Sequence, residues 1–127
     1  MPDVEVRPST VAGRGLFATA PIPAGVEVLQ PTAPVHQEGS LNHACDPNLG
    51  WEGSVLVTLR EIARDEELLV DYAMSTSDPD FILRCHCASY RCRQMVEGTD
   101  WRIPQLQLRY AGHWAATVQA LIDAGPG

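Results

Sequence analysis

Apolar and polar positions alternate loosely over residues 4–11, the pattern of a short strand with one face covered. Residues 12–18 then place Gly13 and Gly15 around Arg14, a side-chain-poor turn whose backbone can approach a ligand closely. A proline-rich turn at 21–25 leads into a short apolar strand at 26–29, and 30–40 is irregular. Apolar and β-branched residues at 54–59 predict another strand, and 60–66 reads as a polar turn. The next strand, 67–72, opens on Glu67 and ends on Asp71 and Tyr72; of the acidic run Asp65, Glu66, Glu67, only the last belongs to it. Residues 75–80 have the composition of a flexible linker. From Pro104 onward the period lengthens: Leu106, Tyr110, Trp114 and Val118 recur every fourth residue, with Leu121 and Ile122 beyond, predicting two helices broken at Gly112. The pattern is mainly β with C-terminal helices, without an internal repeat or a second domain.

The totals narrow the class. A chain of 127 residues, 45% apolar, can bury one core unaided. It has no run of about 18 apolar residues that could cross a membrane, and its opening lacks the apolar stretch of a secretory signal. A cytoplasmic setting is expected, where the four cysteines bind metal or stay reduced rather than form disulfides. A net charge of -7 argues against direct binding to nucleic-acid phosphates and suits a basic partner.

Candidate chemistry gathers in two places. Residues 41–48 pack Asn42, His43 and Cys45 into a few positions and close with Asp46-Pro47-Asn48, a turn-forming sequence. Cys85, Cys87 and Cys92 form a compact cluster. If all four thiols share one ion, the 41–48 loop folds back against the far end of the chain.

In order, Gly13-Arg14-Gly15-Leu16-Phe17-Ala18, Asn42-His43-Ala44-Cys45-Asp46-Pro47-Asn48, Glu67-Leu68-Leu69-Val70-Asp71-Tyr72 and Cys85-x-Cys87-x4-Cys92 resemble the successive motifs of SET-domain protein-lysine methyltransferases with a post-SET zinc segment, of the small bacterial type. The resemblance implies a β-clip-like fold of small curved sheets with a pseudoknot, in which the chain after Tyr72 passes beneath the Asn42–His43 loop, an exception to the rule against threading. It implies a minimal SET domain at 1–80 and a post-SET segment with a helical tail at 81–127, together one structural unit. It assigns Gly13, Arg14, Gly15, Leu16, Asn42 and His43 to an S-adenosylmethionine pocket and Tyr72 to the catalytic hydroxyl. It also assigns Cys45, Cys85, Cys87 and Cys92 to one structural zinc ion, and four thiolates do saturate a tetrahedral site. The substrate it implies is a lysine in a basic segment of a protein. The chain itself has no lysine, all nine basic residues being arginine; a GC-rich coding background accounts for that better than the alternative, that an enzyme acting on lysine offers itself no target.

The family's insert between the glycine turn and the Asn-His motif is short here, confined to residues 16–41, and no tyrosine precedes Tyr72. The place of a second channel tyrosine falls to another group such as Trp51 or Phe81, to a partner subunit in a homodimer, or to none. In the last case the chain is a catalytically impaired SET-like module that binds cofactor or protein. Gln94 stands where a glycine often follows Cys-Arg. His86, with four thiols available beside it, is expected to face solvent; Trp101, Tyr110 and Trp114 are expected to pack the tail.

Overall fold

The computed structural model describes residues 3–37, 39–87 and 89–125. Met1 and Pro2, Glu38 of the irregular stretch, Ala88 within the cysteine cluster, and Pro126 and Gly127 lie outside it. The strands are β1 (Val4–Pro8), β2 (Arg14–Ala18), β3 (Glu27–Leu29), β4 (Asn42–His43), β5 (Leu49–Glu52), β6 (Val55–Thr58), β7 (Glu67–Val70), β8 (Ile82–Arg84) and β9 (Met95–Glu97). Two helices follow, α1 (Pro104–Arg109) and α2 (Ala116–Asp123), and single 3-10 turns occupy Val35–Gln37, Tyr72–Met74 and Asp100–Arg102.

β1 ends at Pro8, which cannot donate to a ladder. The chain reverses through Gly13, whose φ of 45° suits glycine, and returns antiparallel as β2. The glycine run is thus half turn and half strand: Leu16 and Phe17 pair onward with Leu68 and Glu67 of β7. The other edge of β7 takes β4 in parallel, Asn42 opposite Leu69 and His43 opposite Val70, giving the order β1-β2-β7-β4. Two residues suffice for β4 because the bonding continues beyond it. The Ala44 N–H donates to the Val70 carbonyl at 3.1 Å and the Asn48 N–H to that of Leu69 at 3.1 Å. The Asn48 side chain donates to the Glu67 carbonyl at 2.9 Å and accepts from the Leu69 N–H at 2.7 Å. Residues 42–48 therefore clasp β7 close to Tyr72.

β5 and β6 form a hairpin turning at Gly53 (φ 64°), and β3 completes a second sheet in the order β3-β6-β5. β8 and β9 pair with each other and flank the cysteine cluster. One apolar core draws Leu68 and Val70 from the first sheet, Leu49 and Leu56 from the second, and Leu106, Tyr110, Trp114 and Val118 from the tail. Each such large side chain taken fully out of water is worth roughly 1.5–3 kcal/mol. The four-residue period therefore marks the buried face correctly. The helices are shorter than the period suggests, because Gly112 (φ 83°) breaks them and leaves Tyr110 and Trp114 in the connection. Residues 75–80 are not a loose linker: Thr76 is buried and donates its N–H to the Tyr72 carbonyl at 3.0 Å. A Cβ on Gly98 would stand 1.6 Å from the Asp78 carbonyl oxygen, so the two backbones are in close contact. Among the described residues no helix is long and apolar enough to cross a membrane.

Candidate active site and metal centre

The clasp and the β8–β9 arm bring Cys45 to Cys85, Cys87 and Cys92. All four Sγ atoms lie within 4.8 Å of one another, and Cys45 and Cys85 are 3.9 Å apart. Tetrahedral zinc with Zn–S bonds near 2.3 Å sets its sulfurs about 3.8 Å apart, so the quartet fits such an ion with small adjustments. Burial pushes the Cys45 thiol up to about 11 and raises that of Cys85 as well. At Cys87 burial is outweighed by N–H groups of Cys45 and Ser89, which bring the thiol down to about 7. A bound cation converts such thiols to thiolates by displacing their protons.

Beside the quartet lies a cleft of about 300 Å³, lined among others by Thr10, Ala12, Asn42, His43, Tyr72 and Cys85. That is at the lower end of the volumes that hold small ligands. The Asn42 amide nitrogen fixes one wall, 3.0 and 3.1 Å from the carbonyls of Ala12 and Arg14 and 2.9 Å from the Glu67 carboxylate, which also accepts from the Ser9 hydroxyl at 2.8 Å. His43 accepts the Tyr72 N–H on Nδ1 at 3.0 Å, so in its neutral form Nε2 bears the hydrogen and faces Cys45 Sγ at 3.4 Å. Burial lowers its pKa to about 4. Near neutrality it therefore forms no ion pair with Asp71, although Nδ1 lies 3.6 Å from that carboxylate. The Tyr72 hydroxyl donates to the Leu41 carbonyl at 2.5 Å, and burial, with the nearby Glu67 charge, pushes it up to about 12. It stays protonated, able to orient a partner but not to act as a base.

The structure brings Asn42, His43 and Tyr72 to one cleft with Cys85 and Cys87 on its rim. Gly13, Arg14, Gly15 and Leu16 do not line it; the residues just before them, Thr10, Val11 and Ala12, do. The close approach at Gly15 is internal, since a Cβ there would lie 2.2 Å from Glu67 Oε2. His86 is exposed as expected and lies on the cleft's rim. Trp51 belongs to the core, whereas Phe81 lies 6.2 Å from Tyr72 between ring centroids.

Sequence reasoning missed a buried ion-pair network. Arg93, just past the cysteine cluster, donates to both carboxylate oxygens of Asp71 at 2.7 and 2.9 Å and to Asp100 at 3.1 Å. Its backbone N–H points at Cys45 Sγ at 3.4 Å. Tyr110 donates to the same Asp71 carboxylate at 2.7 Å. Although burial works to raise it, the Asp71 carboxyl is held below its ordinary range by the Arg93 guanidinium.

No family model matches the chain. Over 64 residues it is 36% identical to histone-lysine N-methyltransferase 2B of Homo sapiens, covering 44% of this chain and 2% of that protein. Over 68 residues it is 34% identical to histone-lysine N-methyltransferase ATX2 of Arabidopsis thaliana, covering 47% of the chain and 6% of the relative. Over 74 residues it is 32% identical to histone-lysine N-methyltransferase ash1 of Drosophila melanogaster, covering 52% and 3%. The matched stretch is thus a small fraction of each curated relative. Among solved structures, the crystal structure of KRYPTONITE in complex with mCHG DNA and SAH superposes with a TM-score of 0.56 at 20% identity, covering 74% of this chain and 29% of that one. The chain thus shares its fold with that structure, and over about half of its length its sequence is similar to histone-lysine N-methyltransferases.

Proposed function

We propose that this domain transfers a methyl group from S-adenosylmethionine to a lysine side chain of a protein, with a structural zinc ion at the cysteine quartet. One observation carries the reading: Asn42, His43 and the buried Tyr72 line a single cleft whose rim includes two of the four clustered cysteines. The relatives named as histone-lysine methyltransferases support it. The cofactor supplies a methyl group on a sulfonium; the lysine nitrogen forms the new N–C bond as the S–C bond breaks, after the ammonium has given its proton to solvent. The chain's residues have to align the two partners and exclude water. Asn42, tied to the 12–14 turn and to Glu67, holds one wall. His43 fixes the Tyr72 backbone. Tyr72, neutral throughout, orients the amine, and nearby carbonyls such as that of Leu41 favour the positive charge close to the moving methyl group. We place the protein in the cytoplasm, where reduced thiols remain available to the ion.

Incubation with labelled cofactor and mixed basic proteins should label lysine, and Tyr72→Phe should abolish the label while calorimetry shows the cofactor still bound. Transfer by that variant at the parent rate would remove Tyr72 from the mechanism. A second reading, a module that binds cofactor or protein without turnover, rests on the absence of any tyrosine before Tyr72. Cofactor binding with no label in any protein would select it.

A further inference from the structure

The buried Cys45 sulfur has two polar neighbours besides the other thiols, and both lead to the same place. His43 Nε2 lies 3.4 Å from it, and the Arg93 backbone N–H meets it at 3.4 Å as well. Because His43 Nδ1 accepts the Tyr72 N–H at 3.0 Å, the imidazole hydrogen sits on Nε2 and faces the sulfur. The first path therefore runs from Cys45 through one ring to the backbone of Tyr72. The second leaves through residue 93, whose guanidinium takes both oxygens of the buried Asp71 carboxylate at 2.7 and 2.9 Å. Such a fork fixes direction as well as distance. Asp71 in turn accepts the Ala73 N–H at 3.0 Å and so caps the turn Tyr72–Met74. Asp100, which accepts from Arg93 at 3.1 Å and from the Glu97 N–H at 3.2 Å, ties the same guanidinium to β9. One sulfur thus reaches Tyr72 and the residue before it by two routes. Arg93, Asp71 and Asp100 do not line the cleft, so the second route is separate from the wall that the β8–β9 arm gives it.

Hydrogen bonds to a metal ligand orient it and tune its hold on the ion, and the groups that make them respond to the ion in return. We infer that Arg93 is a positioning residue that couples the cysteine quartet to Tyr72. With an ion in place, the fixed Cys45 sulfur sets the residue 93 backbone and the His43 ring, and through them the direction in which Tyr72 presents its hydroxyl. Metal affinity and the placement of Tyr72 then depend on each other reciprocally. What the hydroxyl does in methyl transfer rests on the reading above; the coupling does not.

The full chain loaded with an NMR-active isotope of cadmium in place of zinc tests this without turnover. Scalar couplings from the metal across Cys45 to the Arg93 amide proton and to the His43 Nε2 proton are expected. Arg93→Lys keeps the charge and the backbone N–H but loses the fork. In that variant the ring signals of Tyr72 and His43 are expected to move with the metal still bound, and zinc affinity, read by competition with a chelator, to fall about tenfold. Arg91→Lys is the control. Arg91 also adjoins Cys92, but its guanidinium meets the Tyr90 hydroxyl at 2.9 Å and Asp46 at 3.6 Å, so both readouts stay at parent values. Absence of the Arg93 coupling overturns the proposal, as do Tyr72 signals and zinc affinity at parent values in Arg93→Lys, or equal changes in Arg91→Lys. The couplings are read on the parent chain, so the outcome does not hang on the variant's folding. A chain that shows them yet labels no protein refutes methyl transfer and leaves the coupling standing. A chain that labels lysine, with Arg93→Lys as fast as the parent at saturating cofactor, does the reverse.

Discussion

Gln94 adopts a left-handed conformation, φ 64°, at the point where the cysteine segment turns back into β9, and its carbonyl accepts the Cys85 N–H at 2.7 Å. A side chain in that region costs roughly 1–2 kcal/mol, part of which glycine returns as greater freedom of the unfolded chain. Gln94→Gly is therefore expected to stabilise the protein by about 0.5–1 kcal/mol, read as a higher denaturation midpoint at unchanged slope. His43 offers a pH test. Unfolded, it takes up a proton below about 6.5, whereas in the fold, where burial lowers its pKa to about 4, it stays neutral. Between those values the unfolded chain binds more protons, so stability falls as pH drops from 6.5 to 4, by about 3 kcal/mol for this group. His43→Asn, whose side-chain oxygen can still accept the Tyr72 N–H, should flatten that part of a melting-temperature profile. At this scale the sequence was only partly legible. Asn42, His43 and Tyr72 stand out by motif, but Arg93 and Asp71 are 22 positions apart and His36 and Thr76 are 40 apart, and no local pattern links such partners.

Among the elements, the tight contact is between β2 and β7. A methyl group on Gly15 would press on Glu67 Oε2, the oxygen that also holds Asn42. Gly15→Ala is thus expected to cost about 1–3 kcal/mol, as overpacking does, and to weaken cofactor binding by releasing Asn42; calorimetry on the soluble variant reads both. Arg93→Ala should be more severe. It strands the fully buried Asp71 carboxylate, which Arg93 meets at 2.7 Å, and breaking a buried pair in this way typically costs 3–5 kcal/mol. Strands with β-branched apolar runs, β6 and β7, were evident from composition, as was the buried face of the tail. β2 hid behind its glycines. β5, with Gly50 and Trp51 in four residues, has no clear alternation, and two-residue β4 exists only because β7 and the Asn48 side chain complete its bonding. β8 and β9 owe their pairing to the cysteine arm between them.

For the molecule as a whole, the cysteine quartet ties the 42–48 clasp to the β8–β9 arm, and that arm supplies Leu83, Arg84, Cys85, His86 and Cys87 to the cleft. Elemental analysis of protein purified without chelator is expected to find one zinc per chain. Stripping it should lower the melting temperature and the cofactor affinity together, since an ion bound only to the native state stabilises it by mass action. Loss of zinc with cofactor affinity unchanged would separate the two sites. The Asp71 network bears on how the chain acquires its fold during synthesis. The β1–β2 and β5–β6 hairpins join near neighbours and can form as soon as they leave the ribosome. Asp71, by contrast, is secured by Arg93 and Tyr110, so the strand end that presents Tyr72 waits for residues made well after it. A nascent chain that has emerged only as far as residue 80 carries the contacts that join His43 to Tyr72 and Asn42 to Glu67, but its Asp71 carboxylate lacks Arg93 and Tyr110 until the tail docks.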